Sequence, residues 1–257
     1  MGKFIDLAYA LKKYGKLTPL EIRSFIISIV IIAFVISFRD WGSGEKVNLA
    51  VGFLNLLISI VIVAVSFFVH HLAHRIAALS VGYKPEYKMN TYGLLLAVVL
   101  AIVTRGYLWF LIPGGIMLHH LAGLRLGFFR YGLNYFGLGL VSALGSVATV
   151  IFALILKLIN EFLVSEIIYK AFIFNLLFAV YMILPIPPAD GNKMFFGSRM
   201  VYTFIFTAVI SSAVLLYIDI PVWLALIGTL LIALVAWVLY YVLLEVNLWK
   251  GPYQRQK

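Results

Sequence analysis

Three of the five histidines lie within five positions, in "VHHLAHR" at residues 69–75. They follow the uncharged apolar run "NLAVGFLNLLISIVIVAVSFF". His70 and His74 are four residues apart, so on a helix their imidazoles share one face, one turn from each other. A helix uses this spacing to offer two ligands to one metal ion. The pattern predicts a metal site at the end of that helix, with His71 beside it.

A carboxylate that could join the two histidines occurs in "LPIPPADGNKMFFGSR", residues 184–199. The prolines in this stretch cannot continue a helix, so a sharp turn precedes Asp190. An acidic group near hydrocarbon usually has a partner or a role. Two imidazoles and one carboxylate, with a fourth position left for water, form a recurrent catalytic zinc set. An aspartate before a glycine is also an ordinary turn residue, so the interpretation of Asp190 depends on His70 and His74.

The composition is that of an integral membrane protein. The chain is 64% hydrophobic and only 12% charged, and several uncharged stretches are long enough to cross a bilayer. There is no cysteine, which excludes thiolate ligands. The formal net charge of +10 is typical of basic residues that flank membrane spans and contact anionic lipid. We therefore expect the lipid bilayer, and no nucleic acid, as the partner of these charges.

Hydropathy and turn residues predict an all-α polytopic membrane protein with about six transmembrane helices. The first begins at the capping-box pattern "TPLE", residues 18–21. The six predicted helices are 18–38, 47 to the histidines, 137–158, 167–184, 201–217 and 222–244. Between the second and third, residues 93–118 contain Arg105 and the breaker sequence Pro-Gly-Gly, and we interpret them as a re-entrant or hairpin element. A seventh span in this region is the alternative.

The distribution of basic residues favours six spans over seven. With six, both termini and the basic segments lie on one side, which we expect to be the cytoplasmic side of the cell membrane. These segments contain Arg75, Lys84, Lys88, Arg125, Arg130, Lys193 and Arg199. A seventh span would scatter these residues over both sides. The metal site is accordingly expected near the cytoplasmic surface.

The segments "FFVHHLAHRIAALSVGYK" and "LPIPPADGNKMFFGSR" together resemble the site-2 protease family of intramembrane zinc metalloproteases, archaeal-type members in particular. The resemblance covers about residues 47–200. It implies a metal-binding core there, preceded by a basic segment and first helix at 1–46 and followed by two helices and a short basic tail at 201–257. It also implies one Zn²⁺ per chain on His70, His74 and Asp190, and transmembrane or membrane-associated proteins as substrates.

Five further polar residues stand out in the sequence. The resemblance matches Asn175 to a position where family members often carry asparagine. In "ALGSVATVI", residues 143–151, Ser146 and Thr149 stand where the family has a glycine-proline and asparagine motif. His119 and His120 form either a pair near lipid headgroups or a source of an extra ligand or substitute base.

His71 departs from the family pattern, because there the residue after the first histidine is the glutamate that acts as general base. Imidazole can accept a proton at neutral pH, but it becomes cationic beside a metal dication, whereas a carboxylate becomes neutral. General-base catalysis typically contributes about 10²–10⁴-fold to a rate. Three functions remain open: an active membrane metalloprotease, a catalytically impaired pseudoprotease that binds membrane segments, and a metal or proton transporter.

Overall fold

The structure is a computed structural model that describes residues 2–42, 47–120, 135–218 and 220–245. The expectations for Arg125 and Arg130 lie outside these residues. Within them, the helices are α1 (Gly2–Tyr14), α2 (Pro19–Ser37), α3 (Leu49–Ser80), α4 (Thr91–Val103), α5 (Tyr135–Leu163), α6 (Glu166–Met182), α7 (Asp190–Gly197), α8 (Arg199–Tyr217) and α9 (Val222–Tyr240). One turn of π-helix, Tyr241–Glu245, extends α9.

The helical membrane architecture expected from the sequence is confirmed. Five helices are long and apolar enough to cross a bilayer: α2, α3, α5, α8 and α9 with its π-helical turn. Helix α6 has 17 residues, the lower limit for a spanning helix, and completes the predicted six. Helices α1 and α7 were not anticipated; both are short and lie outside the apolar runs.

The start of α2 shows how local sequence sets a helix boundary. Thr18 Oγ1 accepts a hydrogen bond from the Glu21 backbone N–H (3.2 Å), and the Glu21 side chain accepts one from the Thr18 N–H (2.9 Å). Pro19 occupies the first helical position, where its missing N–H costs nothing. The predicted capping box is therefore present, and it begins the helix where the sequence indicated.

The described residues between α3 and α5, 81–120, form a hairpin and not a seventh span. Strand β1 (Tyr83–Met89) leads into α4, and the chain returns to form β2 (Gly114–His120), which pairs antiparallel with β1. Met89 lies opposite Gly114, and the Asn90 N–H donates to the Pro113 carbonyl (2.8 Å). The segment thus leaves and re-enters at one end of the bundle. The two-stranded sheet departs from the purely helical fold that hydropathy predicted.

The tip of this hairpin reaches the far end of α2. Gly106, at a φ of +78°, lies against the backbone of Arg39, whose guanidinium carbon lies 4.2 Å from the centre of the Tyr107 ring. The return segment then runs through Leu111 and Ile112, which are buried. Non-helical backbone at membrane depth is tolerated where protein surrounds it, which is the situation here.

Helix α5 is the element around which the site is organised. It packs against α3, which carries the histidines, and against α7, which begins with Asp190, as well as against α6 and α8. Helix α9 packs mainly against α8 at the periphery. The described fold therefore places α5 in contact with both sources of candidate metal ligands.

A buried ion pair fixes the end of α3 that carries the histidines. The fully buried Glu21 carboxylate accepts from the Arg75 guanidinium (2.8 Å) and from the Tyr87 backbone N–H (3.0 Å). Arg75 also donates to the carbonyl of Gly15, in the linker between α1 and α2 (2.9 Å). Removing one partner of such a pair typically costs about 3–5 kcal/mol, since the other charge stays buried. The residue after His74 is thus tied to α2, to β1 and to the linker.

Candidate metal centre

Three side chains from two distant parts of the chain converge on one point. His70 Nε2 and His74 Nε2 lie 3.1 Å apart, and Asp190 Oδ2 lies 3.1 Å from the first and 2.9 Å from the second. All three residues have no exposed surface. They form a group that could hold a metal ion within the described part of the chain, and it matches the predicted ligand set.

The separations between these atoms are suitable for zinc. Ligand atoms at about 2.0–2.2 Å from Zn²⁺ in tetrahedral geometry lie about 3.4 Å from each other. The observed 2.9–3.1 Å is slightly shorter. Two imidazole nitrogens and one carboxylate oxygen are also ligand types that zinc prefers in catalytic sites. The residues therefore fit the ion that the sequence predicted.

Helix α5 forms hydrogen bonds to the Nδ1 atoms of both imidazoles, on the side of each ring away from the shared point. His74 Nδ1 donates to the Val141 carbonyl (2.8 Å), and His70 Nδ1 lies 2.9 Å from Thr149 Oγ1. Because the Thr149 hydroxyl donates to the Gly145 carbonyl (2.9 Å), its oxygen accepts from His70. With both Nδ1 atoms donating, each Nε2 presents a lone pair to the shared point. Such outer hydrogen bonds fix the tautomer and orientation of metal-binding histidines.

Close approach between α3 and α5 depends on Gly145. A Cβ atom at this position would overlap the His74 imidazole ring at Nε2. Any larger residue would displace either the helix or the ligand. Gly145 therefore has a packing role that is specific to the candidate metal centre.

The proline turn delivers Asp190 as the first residue of α7. Lys193 Nζ donates to the Pro188 carbonyl (3.1 Å), and a Cβ at Gly191 would collide with the Ile183 carbonyl, so the turn is tightly closed. Burial raises the pKa of the Asp190 carboxyl, but His74 and His70 outweigh burial and hold that pKa well below its usual range.

His71 points to a different side of α3 from the two ligands. Its ring packs edge-on against Phe25 of α2 (centroids 4.8 Å apart) and against Tyr87 of β1 (4.6 Å). The ring centroid lies 5.0 Å from that of His70 and 5.9 Å from that of His74. Its Nδ1 is buried and has no hydrogen-bond partner among the described residues. His71 is thus adjacent to the three-ligand group without belonging to it.

Asn175 lies one helical turn deeper than the cluster. Its amide nitrogen donates to Ser66 Oγ (2.9 Å) and to the Ala171 carbonyl (2.8 Å). Ser66 is on α3, one turn before His70, so Asn175 supports the helix pair behind the ligands. It does not contact His70, His74 or Asp190 through any of these hydrogen bonds.

The other two histidines lie at the end of β2. His119 Nε2 is 3.3 Å from Glu86 Oε2, and both side chains are substantially exposed. The His120 ring packs near that of Tyr83, with centroids 5.2 Å apart. Neither belongs to the metal-binding group found among the described residues. This arrangement agrees better with an interfacial pair than with an extra ligand.

The sequence alone did not assign Thr149, Gly145 or Val141 to the positioning of the two histidines. Thr149 stood out as a stand-in for a family motif, but nothing in the sequence assigned it to His70. Gly145 could be noticed as a small residue opposite α3. The Val141 contribution is a backbone carbonyl, which carries no side-chain signal and requires the helix packing to be known.

Comparison with known proteins gives one relevant relative. A protein of Methanocaldococcus jannaschii named "Putative zinc metalloprotease" is 29% identical over 180 residues, which cover 68% of this chain and 82% of that protein. No family model matches the chain, and no solved structure matches it significantly. The name of that relative refers to zinc, the ion that fits the His-His-Asp group described above.

Proposed function

We propose that this protein is a membrane-embedded zinc metalloprotease of the site-2 protease type, which hydrolyses peptide bonds of membrane proteins in or near the bilayer. The observation that carries the proposal is the convergence of His70 Nε2, His74 Nε2 and Asp190 Oδ2 within 3.1 Å of one another. The named relative and the family motifs in the sequence agree with it.

Each residue of the site has a defined task in this proposal. His70, His74 and Asp190 would bind the ion, and Thr149 and the Val141 carbonyl orient the two imidazoles. Zinc held by such a set polarises a carbonyl group and acidifies a bound water. Burial of all three ligands keeps bulk water away, which strengthens the electrostatic interactions within the site.

In this proposal the impaired step of hydrolysis is the proton transfer at residue 71. His71 takes the place of the glutamate base, and a protonated imidazole beside a dication is disfavoured. Its ring is also enclosed by Phe25 and Tyr87. This enclosure favours a second candidate function, in which the protein is a catalytically impaired pseudoprotease that binds membrane segments. Slow or absent cleavage by the native protein is the expectation that both candidates share.

The metal can be tested directly. Protein purified gently without chelators is expected to contain about one zinc per chain, and His74→Ala is expected to lose it, because two remaining ligands bind zinc weakly. Elemental analysis by mass spectrometry measures both. His119→Ala is the matched control, since that side chain is exposed and outside the cluster, and it should retain its zinc. A metal-free native protein, or equal zinc in the two variants, would refute the ligand assignment.

We further propose that the protein lies in the cell membrane with its metal centre on the cytoplasmic side. The distribution of the basic residues indicates this orientation. The chain has no cysteine, so single cysteines can be introduced cleanly. Lys16→Cys, in the exposed linker near Arg75, should react with a membrane-impermeant maleimide only from the cytoplasmic side. Val164→Cys, exposed between α5 and α6, should react only from outside. Reaction of both from one side would overturn this orientation.

A further inference from the structure

Two serine hydroxyls on α5 are buried without hydrogen-bond partners. Ser142 and Ser146 have no exposed surface, and neither Oγ has a partner among the described residues. Most buried polar atoms in proteins are paired, and an unpaired one calls for a specific explanation. Burial of a hydroxyl without a hydrogen bond is energetically unfavourable. Two such hydroxyls one turn apart are therefore a notable feature of this helix.

Hydroxyls elsewhere in the membrane helices avoid this cost by bonding to their own backbone. The side chains that donate to the carbonyl four residues earlier include those of Ser24, Ser66, Thr104, Thr149, Thr203, Thr207 and Ser211. Ser142 and Ser146 could make the same bond to residues 138 and 142, but neither does. Their hydroxyls are directed away from the helix backbone.

Helical geometry puts the two serines on the arc of α5 between two of its packing faces. Successive residues of an α-helix are rotated by about 100° around its axis. Measured from Val141, Ser142 is rotated by about 100°, Ser146 by about 140° and Ala143 by about 200° around the axis of α5. Val141 belongs to the buried cluster that includes Ala77 and Ala78 of α3, and Ala143 to the cluster that includes Met194 of α7. Ser142 and Ser146 thus lie between the faces that contact the histidine helix and the aspartate helix.

A third unpaired atom belongs to Asp190, one of the three candidate ligands. Asp190 Oδ1 is buried without a partner among the described residues, whereas Oδ2 of the same carboxylate meets the histidines. One water molecule typically makes about three hydrogen bonds to buried polar groups of this kind. It can donate to the carboxylate and to one hydroxyl, and accept from the other.

We propose that the Ser142 and Ser146 hydroxyls form a polar subsite for an oxygen atom beside the His70, His74 and Asp190 cluster. In the free protein the oxygen is that of a water molecule. In the complex it is the carbonyl oxygen of a bound peptide, to which both hydroxyls donate. The peptide part rests on the proposed function, whereas the water part does not.

This arrangement suits neutral donors placed next to a metal centre. A hydroxyl donor carries no positive charge, so it does not compete with a metal cation for the Asp190 carboxylate. Donors fixed before a ligand arrives need no reorganisation, which is the condition under which they stabilise developing negative charge on oxygen most effectively. Rotation of each hydroxyl about χ1 is the only movement required, because α5 is already held by its bonds to the two imidazoles.

The first experiment locates the water. A crystal structure of the metal-free protein, at a resolution that shows ordered solvent, is expected to place a water oxygen within hydrogen-bond distance of both serine Oγ atoms. Hydroxyls turned back to the carbonyls of residues 138 and 142, with no water between α5 and α7, would overturn the proposal. This result does not depend on zinc, so it stands even if the proposed function fails.

The second experiment tests the carbonyl. A peptide hydroxamate, which binds zinc and carries a carbonyl oxygen, is titrated into the zinc-loaded protein in detergent. Each of Ser142→Ala and Ser146→Ala is expected to weaken binding about fivefold, the loss of one ordinary hydrogen bond, with zinc content unchanged. Ser211→Ala, the same change in α8, is the control and should bind as the native protein does.

The outcomes separate the two proposals. Unchanged hydroxamate affinity in the double Ser142→Ala and Ser146→Ala variant, with zinc still bound, would refute the peptide part of the subsite. A native protein that binds no zinc would refute the proposed function, and the crystal structure would then decide the subsite alone. Alanine is a good helix former, so the variants are expected to fold.

Discussion

His70 and His71 are neighbours in the chain, but the structure treats them very differently. The His70 ring is held on one side by Thr149 and faces two other ligand atoms on the other. The His71 ring is surrounded by aromatic side chains, and its Nδ1 has no partner among the described residues. Within one turn of α3, His70 is thus oriented by a hydrogen bond as a candidate ligand, whereas Nδ1 of His71 has no hydrogen-bond partner among the described residues.

The difference places the candidate metal ligands and His71, the proposed base position, in separate surroundings. The ligands depend on α5 and α7, which fix them by hydrogen bonds and close packing. The base position depends on α2 and β1, which contact His71 only through ring edges. One function can therefore be altered while the other is kept, and each of the following changes affects one side of this comparison.

The largest effect is expected from Gly145→Ala. The added methyl group overlaps the His74 imidazole, so α3 and α5 must separate or the ligand must rotate away. Zinc is expected to fall from about one per chain to near zero. Gly228→Ala is the control, because its Cβ meets only the flexible end of Leu215 at 3.0 Å. Full zinc occupancy in Gly145→Ala, measured by elemental analysis, would show that α5 does not fix the ligand.

The second change acts on the other side of the comparison. His71→Glu supplies a carboxylate that becomes neutral on accepting a proton, so cleavage of a transmembrane substrate in proteoliposomes is expected to rise by up to about 10²–10⁴-fold. His71→Gln, which has similar size and no basic group at this pH, should give no increase. A brisk native protease that slows on His71→Glu would instead identify His71 as a working base.

A smaller effect is expected from Thr149→Val, which keeps the shape of the side chain and removes the acceptor for His70 Nδ1. Loss of such an outer partner typically lowers metal affinity by about 10–100-fold. Competition with a chelator of known affinity measures the change. Thr149→Ser restores the hydroxyl and should recover most of the affinity. Equal affinity in the valine and native proteins would mean that His70 is oriented by packing alone.

The ligand set and most membrane helices could be predicted from the sequence because their signals are local. Four-residue spacing placed His70 and His74 on one face, and the capping box at Thr18 placed the start of α2. Strand β2 could not be found in this way, since "GGIMLHH" acquires its pairing only from β1, about thirty residues earlier. The roles of Val141 and Gly145 depend on how closely two helices approach, which no single segment encodes.

The distance along the chain between the ligands has a consequence for biosynthesis. Asp190 follows His74 by 116 residues, which take about 6–25 s to synthesise at the usual rate of translation. During that interval α5 and α6 are synthesised, and until α5 is in place the two imidazoles lack their hydrogen bonds to Thr149 and Val141. A nascent chain that ends before Asp190 lacks the carboxylate. A metal held by all three proposed ligands can therefore be bound only after the chain has been synthesised as far as Asp190.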